Sequence, residues 1–371
     1  PDLAALIHSR QVSCLDLTRM YLDRLRRHAP RLNCVVNYTE GRAIDQARRL
    51  DAELSRGRYR GLLHGIPYGA KDLFATKGAP TTWGAEPFRN QLIPADATVI
   101  GRLDSAGAVL IAKLSMGALA MGGAWFGGMT RNPWNVSKSS SGSSAGSASA
   151  TAAGLVPFAL GTETLGSILT PSRICGVTGL RPTFGRVSRY GAMSLCWTLD
   201  KIGPICRSAE DAMIVLRAIH GPDGRDLSVS RQPLAWNAAQ SPRALRVGFA
   251  AADFQKLSGA RKAVAMQALE KLRTAGIELT PVAIPEFPVE SLLTILSTEA
   301  AAAFDDLTRS NAVDQLGGQS DGDWPNLFRT ARLTPAVEYL RAMRARTLLM
   351  RRIAELFRRW DVLVSPSSSS L

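Results

Sequence analysis

Two serines lie at glycine-rich positions within residues 139–182, a stretch made mainly of Gly, Ser, Ala and Thr with little charge. Ser143 lies in the segment GSSAG and Ser167 in the segment TLGSI. A flexible linker can share this composition, but it does not carry apolar segments such as FAL, SIL and GVTGL. Small side chains let the backbone approach another chain segment or a ligand closely. We therefore interpret this stretch as the floor of an active site.

The elements that position these serines are predicted from apolar spacing. Apolar runs between glycines and prolines, or short β-branched runs, predict strands at 32–38, 66–74, 108–112, 155–160, 245–250, 277–282 and 362–364. Helical spacing, with Ser13 or Asp16 and then Ser208 as possible N-caps, predicts helices at 13–27, 42–55, 96–106, 147–153, 208–220, 260–275, 289–308 and 334–360, and a helical turn from Ser167. Residues 317–325 are expected to form a loop. Alternating strands and helices predict an α/β fold with a mixed or mostly parallel sheet.

The net charge of +14, supplied mostly by arginine, favours anionic partners. However, the densest basic run, residues 341–359, alternates with apolar residues at helical spacing, which predicts an amphipathic helix with solvated arginines. Phe357 is the single aromatic residue of this run, too few to stack successive bases. We therefore do not expect nucleic acid as a partner. The chain also has no uninterrupted apolar run of about 18 residues, so no membrane span is expected.

The five cysteines and four histidines show no metal-ligand spacing, so neither a metal nor an organic cofactor is expected. An odd number of scattered cysteines favours a reduced compartment, such as the cytoplasm, over a disulfide framework. The chain begins at Pro1 without a charged-then-apolar leader, which leaves open an export signal upstream of it.

Seven ordered segments resemble motifs of the amidase signature family of serine amidohydrolases. They are HGIPYGAKD, DATVIGRLDSAGAVLIAK, TRNPWN, SGSSAGSASATAAG, GTETLGSI, CGVTGLRPTFGRVSRYG and DKIGPICRSAEDA. The resemblance covers most of the chain and is densest in residues 61–226. It implies one domain over residues 1–371, with a large mixed, mostly parallel sheet flanked by helices on both faces. Family members continue beyond a segment like DVLVSPSSSSL, so the resemblance also implies that the C-terminal part of the domain is lacking.

The resemblance further implies an enzyme that hydrolyses linear carboxamides with a lysine and two serines. By motif these are Lys71 of GAKD, Ser143 of GSSAG after a cis peptide bond, and Ser167 of TLGSI, the nucleophile that forms an acyl-enzyme. A serine needs a base, and a buried lysine of lowered pKa can act as one. The family's oxyanion hole corresponds to the backbone N–H groups of Thr164, Leu165, Gly166 and Ser167.

This chain departs from the family pattern around the nucleophile. Leu165 replaces a glycine, and we predict that it keeps a negative φ while its side chain narrows the pocket. Leu169 and Thr170 stand where an arginine is common, and Glu163 stands where an aspartate is usual, so a small acidic amide is disfavoured as substrate. An apolar or aryl amide is favoured by five apolar side chains: Trp83, Trp125, Phe126, Met129 and Leu165.

Three carboxylates near the motifs are predicted to take no part in the reaction. We interpret Glu163 and Asp200 as structural partners rather than catalytic acids. For Asp72 two alternatives stay open, because it either fixes its loop or is simply exposed.

Other functions remain open beside a stand-alone amidase acting on a small-molecule amide. One is the ammonia-generating glutaminase subunit of a tRNA-dependent amidotransferase. Another is an α/β-hydrolase esterase, because residues 142–146 fit G-x-S-x-G with Ser144 at the centre and His220 available as the base. The last is a basic binding protein without catalysis. The oligomeric state is also open, with a homo-oligomer as one alternative.

Overall fold

A computed structural model of the chain describes residues 1–237 and 239–366. The chain divides into two compact units. The first comprises residues 1–234 and 296–333, and the second comprises residues 235–295 and the described residues from 334 onward. The expectation that residues 1–371 form a single domain lacking its C-terminal part stays a prediction.

Helices and strands alternate over much of the chain as predicted, but short strands follow one another over residues 124–139 and helices follow one another over residues 293–359. The helices are α1 (Asp2–His8), α2 (Cys14–Leu32), α3 (Glu40–Ser55), α4 (Thr98–Ser105), α5 (Ala145–Ala152), α6 (Leu169–Cys175), α7 (Ala209–Ile219), α8 (Ala251–Gln255), α9 (Gly259–Thr274), α10 (Leu293–Ala303), α11 (Asp305–Arg309), α12 (Trp324–Ala331) and α13 (Ala336–Arg359). The strands are β1 (Val35–Tyr38), β2 (Pro67–Lys71), β3 (Val109–Leu114), β4 (Ala124–Trp125), β5 (Gly128–Met129), β6 (Arg131–Asn132), β7 (Asn135–Ser139), β8 (Phe158–Glu163), β9 (Thr178–Gly179), β10 (Lys201–Cys206), β11 (Val247–Phe249), β12 (Leu279–Pro281) and β13 (Val362–Val364).

The first unit is built on a sheet with the strand order β1-β3-β2-β8-β10-β9. Strand β2 runs parallel to both β3 and β8, whereas the outer pairs β1–β3, β8–β10 and β10–β9 are antiparallel. The predicted mixed sheet is confirmed, but it is not mostly parallel, because parallel pairing is confined to β3, β2 and β8. Every residue of β2, β3, β8 and β10 is buried. Because successive side chains point to opposite faces, both faces of the sheet are covered, with α3 packed on β3, α5 on β8 and α7 on β10.

Of the two possible caps of the first predicted helix, Ser13 and not Asp16 begins α2, and Ser208 begins α7 as predicted. The backbone N–H of Asp16 donates to Ser13 Oγ (2.9 Å) at the start of α2. The N–H of Asp211 donates to Ser208 Oγ (3.1 Å) at the start of α7. Each cap satisfies one of the N–H groups that a helix leaves without an intrahelical acceptor.

The single helix predicted over residues 289–308 is wrong. A short 3₁₀ turn (Val289–Leu292) leads into α10, and the helix breaks at Phe304 (φ −118°, ψ 29°) before α11 begins. Phe304 is buried, with its ring centroid 5.3 Å from that of Phe328 and 6.2 Å from that of Trp83. The break accompanies the burial of an aromatic ring in the core, which helical periodicity does not reveal.

Helix α12 was missed, because its first residues fall in the predicted loop 317–325. Pro325 lies in the first turn, where its missing N–H costs no hydrogen bond. Trp324 and Phe328, four residues apart, stack with ring centroids 5.0 Å apart and are both buried. That i,i+4 aromatic pair was the available signal for a helix.

In the second unit, β11 pairs in parallel with β12 on one side and β13 on the other. The predicted basic helix is α13, in which Ala342 is the one buried residue among those described. Its apolar side chains Leu340, Leu348, Met350 and Phe357 are exposed.

All five cysteines are buried and free. Burial raises the pKa of every one of these thiols, and for Cys14 and Cys196 the neighbouring carboxylates Asp51 and Glu299 raise it further.

Within the described ranges, no helix combines the length and the apolar character needed to cross a membrane.

Candidate active site

Lys71 ends strand β2 with a fully buried side chain. Its Nζ lies 2.8 Å from Ser143 Oγ and 2.8 Å from the Oγ1 of Thr162, which belongs to the neighbouring strand β8. The register, Ala70 opposite Leu160, is that of a parallel pair, so the two strands end at the same edge of the sheet. The sheet thus brings the lysine, the first serine and a threonine hydroxyl together.

Burial lowers the pKa of Lys71 from 10.5 to about 7, while the carboxylates of Asp200 and Glu163 act in the opposite direction. An ammonium ion is poorly solvated away from water, so the neutral amine becomes accessible near neutral pH. Lys71 can therefore accept a proton under conditions where an exposed lysine cannot.

Ser143 is held by a closely packed backbone. The peptide bond between Gly142 and Ser143 is cis, and the Ser143 carbonyl accepts a hydrogen bond from the N–H of Gly117 (3.3 Å). A Cβ placed on Gly142 would lie 1.8 Å from the carbonyl oxygen of Gly122. Only glycine fits at this position, which explains why the sequence avoids larger side chains here.

Ser167 lies in the turn between β8 and α6 and is partly exposed. Its carbonyl accepts a hydrogen bond from the N–H of Ser144 (3.1 Å). This bond joins the turn that carries Ser167 to the residue that follows Ser143. The three residues expected from the sequence are therefore brought into one region of the first unit.

The turn that carries Ser167 presents unused backbone donors. Glu163 Oε2 accepts hydrogen bonds from the N–H groups of Ile168 (2.9 Å) and Leu169 (3.0 Å), which fixes the end of the turn. In the described part of the chain, no group accepts from the N–H groups of residues 165–167. Such donors can stabilise an oxyanion.

Leu165 keeps a negative φ as predicted, and the left-handed conformation falls on Gly166 (φ 81°). The leucine side chain is 47% exposed.

Asp200 and Glu163 act as structural partners, as predicted. Asp200 Oδ2 accepts from the N–H groups of Leu195 (2.8 Å) and Cys196 (3.0 Å), and its other oxygen accepts from the Thr164 hydroxyl. Together with the bonds that Glu163 receives, these contacts hold both ends of the turn containing Ser167.

Asp72, directly after Lys71, fixes its loop rather than being exposed. Both Asp72 and Lys113 are fully buried, with Lys113 Nζ 2.8 Å from Asp72 Oδ1. Asp72 Oδ2 accepts from the backbone N–H of Thr82 (3.0 Å) and from the Thr82 hydroxyl. A buried ion pair thus adjoins the buried lysine of the site.

The esterase arrangement is not supported by the contacts of Ser144 and His220. Ser144 is fully buried, and its Oγ donates to the Thr162 carbonyl (3.1 Å) and accepts from the Thr162 N–H (3.2 Å). His220 Nδ1 instead lies 3.2 Å from the carbonyl oxygen of Arg217. The hydroxyl is engaged by backbone and not by a histidine.

We expect the His220→Ala variant to keep its amide-hydrolysing activity, because His220 contacts none of Lys71, Ser143 or Ser167 among the described interactions. Steady-state kinetics on purified wild type and variant would check this. A loss of more than about a hundredfold in kcat from a folded variant, the size of a general-base effect, would restore the esterase arrangement.

None of the five apolar side chains expected to shape the pocket lines the cavity beside Thr162 and Thr164. Trp83 packs against Phe88 (ring centroids 4.5 Å apart), and Trp125 packs edge-on against Phe126 (4.8 Å). A cavity of 460 Å³ instead borders Thr162 and Thr164, with a wall drawn from residues 189–202 and 225–228 and not from Leu165. Sequence reasoning missed this wall, because its residues follow no periodic pattern.

Comparison with known proteins agrees with this arrangement. The Amidase family model matches residues 16–371. One subunit of the glutamyl-tRNA(Gln) amidotransferase of Anaeromyxobacter dehalogenans is 35% identical over 401 aligned positions, covering all of this chain and 81% of the relative. The native peptide amidase of Stenotrophomonas maltophilia superposes with a TM-score of 0.84 at 31% identity, covering 99% of this chain and 83% of that one.

A further structural relative comes from a vestigial protein complex that reveals the evolutionary origins of an s-triazine catabolic enzyme. It has a TM-score of 0.89 at 30% identity and covers 99% of this chain and 82% of that one. The family model, the curated relative and the two structures all extend over nearly the whole chain. The chain belongs to the amidase signature family and is an enzyme that acts on amides.

Proposed function

We propose that this enzyme hydrolyses the C–N bond of a linear carboxamide through a Ser167 acyl-enzyme, with Ser143 as proton relay and Lys71 as base. One observation carries the proposal: Lys71 is fully buried, its pKa is lowered to about 7, and its Nζ lies 2.8 Å from Ser143 Oγ. Burying a lysine without an ion-pair partner costs free energy of folding. Buried ionisable groups with shifted pKa values cluster at functional sites, which supports a role for Lys71 in the reaction.

In the first step, neutral Lys71 takes the proton of Ser143 while Ser143 takes the proton of Ser167. Ser167 Oγ then attacks the amide carbon, and the carbonyl electrons move to oxygen. The N–H groups of residues 165–167, which have no described acceptor, support an oxyanion hole. One such donor typically contributes about 2.7–4 kcal/mol of transition-state stabilisation.

In the second step, the tetrahedral intermediate collapses and the C–N bond breaks. The leaving nitrogen takes the proton that Lys71 returns through Ser143, so ammonia or an amine departs. The same chain of groups then deprotonates a water molecule, which attacks the ester carbon and releases the acid and Ser167.

The proposal is tested with a fluorophosphonate probe that reacts with activated serines. We expect one covalent adduct per chain by intact mass, mapped to Ser167 by peptide analysis and absent from Ser167→Ala. An adduct on Ser144 would favour the esterase alternative. A folded wild-type chain that is never labelled would favour the basic binding protein instead.

A second candidate function is the ammonia-generating subunit of a tRNA-dependent amidotransferase. It is favoured by the 35% identity to the glutamyl-tRNA(Gln) amidotransferase subunit of Anaeromyxobacter dehalogenans. A stable complex with a purified tRNA-binding partner subunit, detected by size-exclusion chromatography with light scattering, would support it. Full amidase activity in a chain that never enters such a complex would favour the stand-alone enzyme.

A further inference from the structure

The 460 Å³ cavity adjoins the proposed reaction centre. Its lining includes Thr162, whose hydroxyl contacts Lys71 Nζ, and Thr164, where the Ser167 turn begins. The cavity is therefore close enough to receive another part of the molecule that carries the reacting amide. The chemistry of the wall then indicates what that group is.

The acidic groups of the wall are already engaged. Asp226 lies 3.0 Å from Arg189 Nε and accepts further bonds from the Arg189 N–H and the Ser228 side chain. The oxygens of Asp200 accept the three bonds from Thr164, Leu195 and Cys196 described above, and burial raises the pKa of this carboxyl. Neither carboxylate is left for a cationic ligand.

Lys201 is a buried cation of the wall without an ion-pair partner. Its Nζ donates to the carbonyl oxygen of Thr164 (3.1 Å), and no described carboxylate oxygen lies within 4.0 Å of it. Burial lowers the pKa of Lys201 to about 8 and the nearby Arg181 lowers it as well, while the more distant carboxylates of Glu163 and Asp200 act in the opposite direction. At pH 7 most of this lysine is still protonated, so the cavity is lined by a positive charge whose direct hydrogen-bond partner is a neutral carbonyl.

Arg225 is a second cation of the same wall. Its guanidinium carbon lies 4.8 Å from the ring centroid of Tyr190, and none of the described carboxylates pairs with it. Stacking on the ring orients the guanidinium plane and leaves its N–H edge available. Planar N–H pairs of this kind bind carboxylates with two parallel hydrogen bonds.

Apolar surface accompanies these two cations. Tyr190 is 45% exposed, Trp197 67% and Leu227 91%, although all three line the cavity. Exposed aromatic and aliphatic side chains around a concave site are typical of a surface that an apolar ligand covers.

We infer that this cavity is a subsite for an amide substrate that carries a carboxylate on an apolar or aryl body, with Lys201 and Arg225 recognising the carboxylate. The inference rests on the proposed function. It differs from the sequence argument against a small acidic amide, which concerned Glu163, Leu169 and Thr170 on either side of Ser167. The cations described here come from β10 and from the turn after α7.

Two pairs of probes differ in one carboxylate and in the side of the scissile bond that bears it. Terephthalamate and benzamide carry the difference on the acyl part. Para-acetamidobenzoate and acetanilide carry it on the amine part. The measured quantity is the ratio of kcat/KM for the anionic member to kcat/KM for the neutral one, and the pair with the higher ratio identifies the side that enters the cavity.

For wild type we expect a ratio of about ten or more in one pair, the size of a hydrogen bond to a charged group. Arg225→Gln and Lys201→Met should each bring the ratio close to one, and Arg225→Glu should bring it below one. Arg231→Gln is the matched control, because Arg231 is exposed and lies outside the cavity wall. A wild-type ratio near one in both pairs, or ratios that these variants leave unchanged, would overturn the inference.

A binding measurement separates this subsite from the catalytic proposal. Terephthalamate and para-acetamidobenzoate are titrated calorimetrically into Ser167→Ala, alone and combined with Arg225→Gln. Binding that weakens about tenfold with Arg225→Gln supports the subsite, even where Ser167 proves not to be the nucleophile. Failure of both probes to bind overturns the subsite and leaves the Ser167 labelling result unaffected.

Discussion

Replacing Lys71 by methionine should lower kcat/KM for amide hydrolysis by about 10²–10⁴-fold, the range that a general base contributes. The wild-type profile should rise tenfold per pH unit at low pH and level off above about 7, because neutral Lys71 is the active form and its pKa is lowered to that value. Steady-state kinetics between pH 5 and 9 would record both effects. Lys77→Met is the control, since Lys77 is an exposed lysine of the following loop.

Lys71→Met should raise the stability of the chain near neutral pH although it lowers the activity. The pKa of Lys71 is about 7 in the folded chain and near 10.5 when exposed, so between these values the unfolded chain binds more protons. Wild-type free energy of unfolding should therefore rise with pH over that window, by on the order of 5 kcal/mol at most. Lys71→Met should reduce this slope, leaving the part that Lys201, whose pKa is lowered to about 8, contributes in both chains, and should be more stable than wild type below pH 7. A Lys71→Met variant that is less active but keeps the wild-type dependence of the free energy of unfolding on pH would contradict the assignment of Lys71 as the base.

Breaking the buried ion pair beside the site should cost about 3–5 kcal/mol of stability, because the remaining charge is left without a partner away from water. Lys113→Met and Asp72→Asn each break the pair, whose two side chains are fully buried. Because Asp72 directly follows Lys71, kcat/KM should fall as well. Denaturant unfolding of the single variants and of the double variant would measure the coupling between the two residues.

We expect the double variant to be more stable than the sum of the single changes predicts, since no charge is then left alone. Arg89→Met is the matched control, because its ion pair with Glu86 is exposed, and it should change stability little. Additive single effects, or effects as small as that of the control, would show that the pair does not hold the loop.

The residues proposed to react could be named from the sequence because they lie in local motifs. Lys71, Ser143 and Ser167 each stand at the end of a strand or in a glycine-rich turn whose neighbours are small. The Ser13 and Ser208 caps were likewise predictable, since a cap depends on a hydroxyl and a backbone N–H three residues later.

The partners of those groups could not be predicted, because they are joined by tertiary pairing. Thr162, which contacts Lys71, is 91 residues away in the chain and reaches it through the parallel pairing of β2 with β8. The break at Phe304 depends on burying one ring against two others, which no periodicity describes. The cavity wall combines turns that precede and follow β10 in the chain. The sequence alone therefore does not show which of its side chains lie together.

The five buried thiols have a practical consequence for following unfolding. A maleimide or disulfide reagent reacts with the thiolate of an accessible cysteine, and in the native chain all five thiols are buried with raised pKa values. Reagent uptake would then count molecules that have opened, from none in the native chain to five equivalents in the unfolded one. The buried cysteines thus report the opening of the chain. Their rate of reaction with the reagent under native conditions would rank the stabilities of the Lys71, Asp72 and Lys113 variants without denaturant.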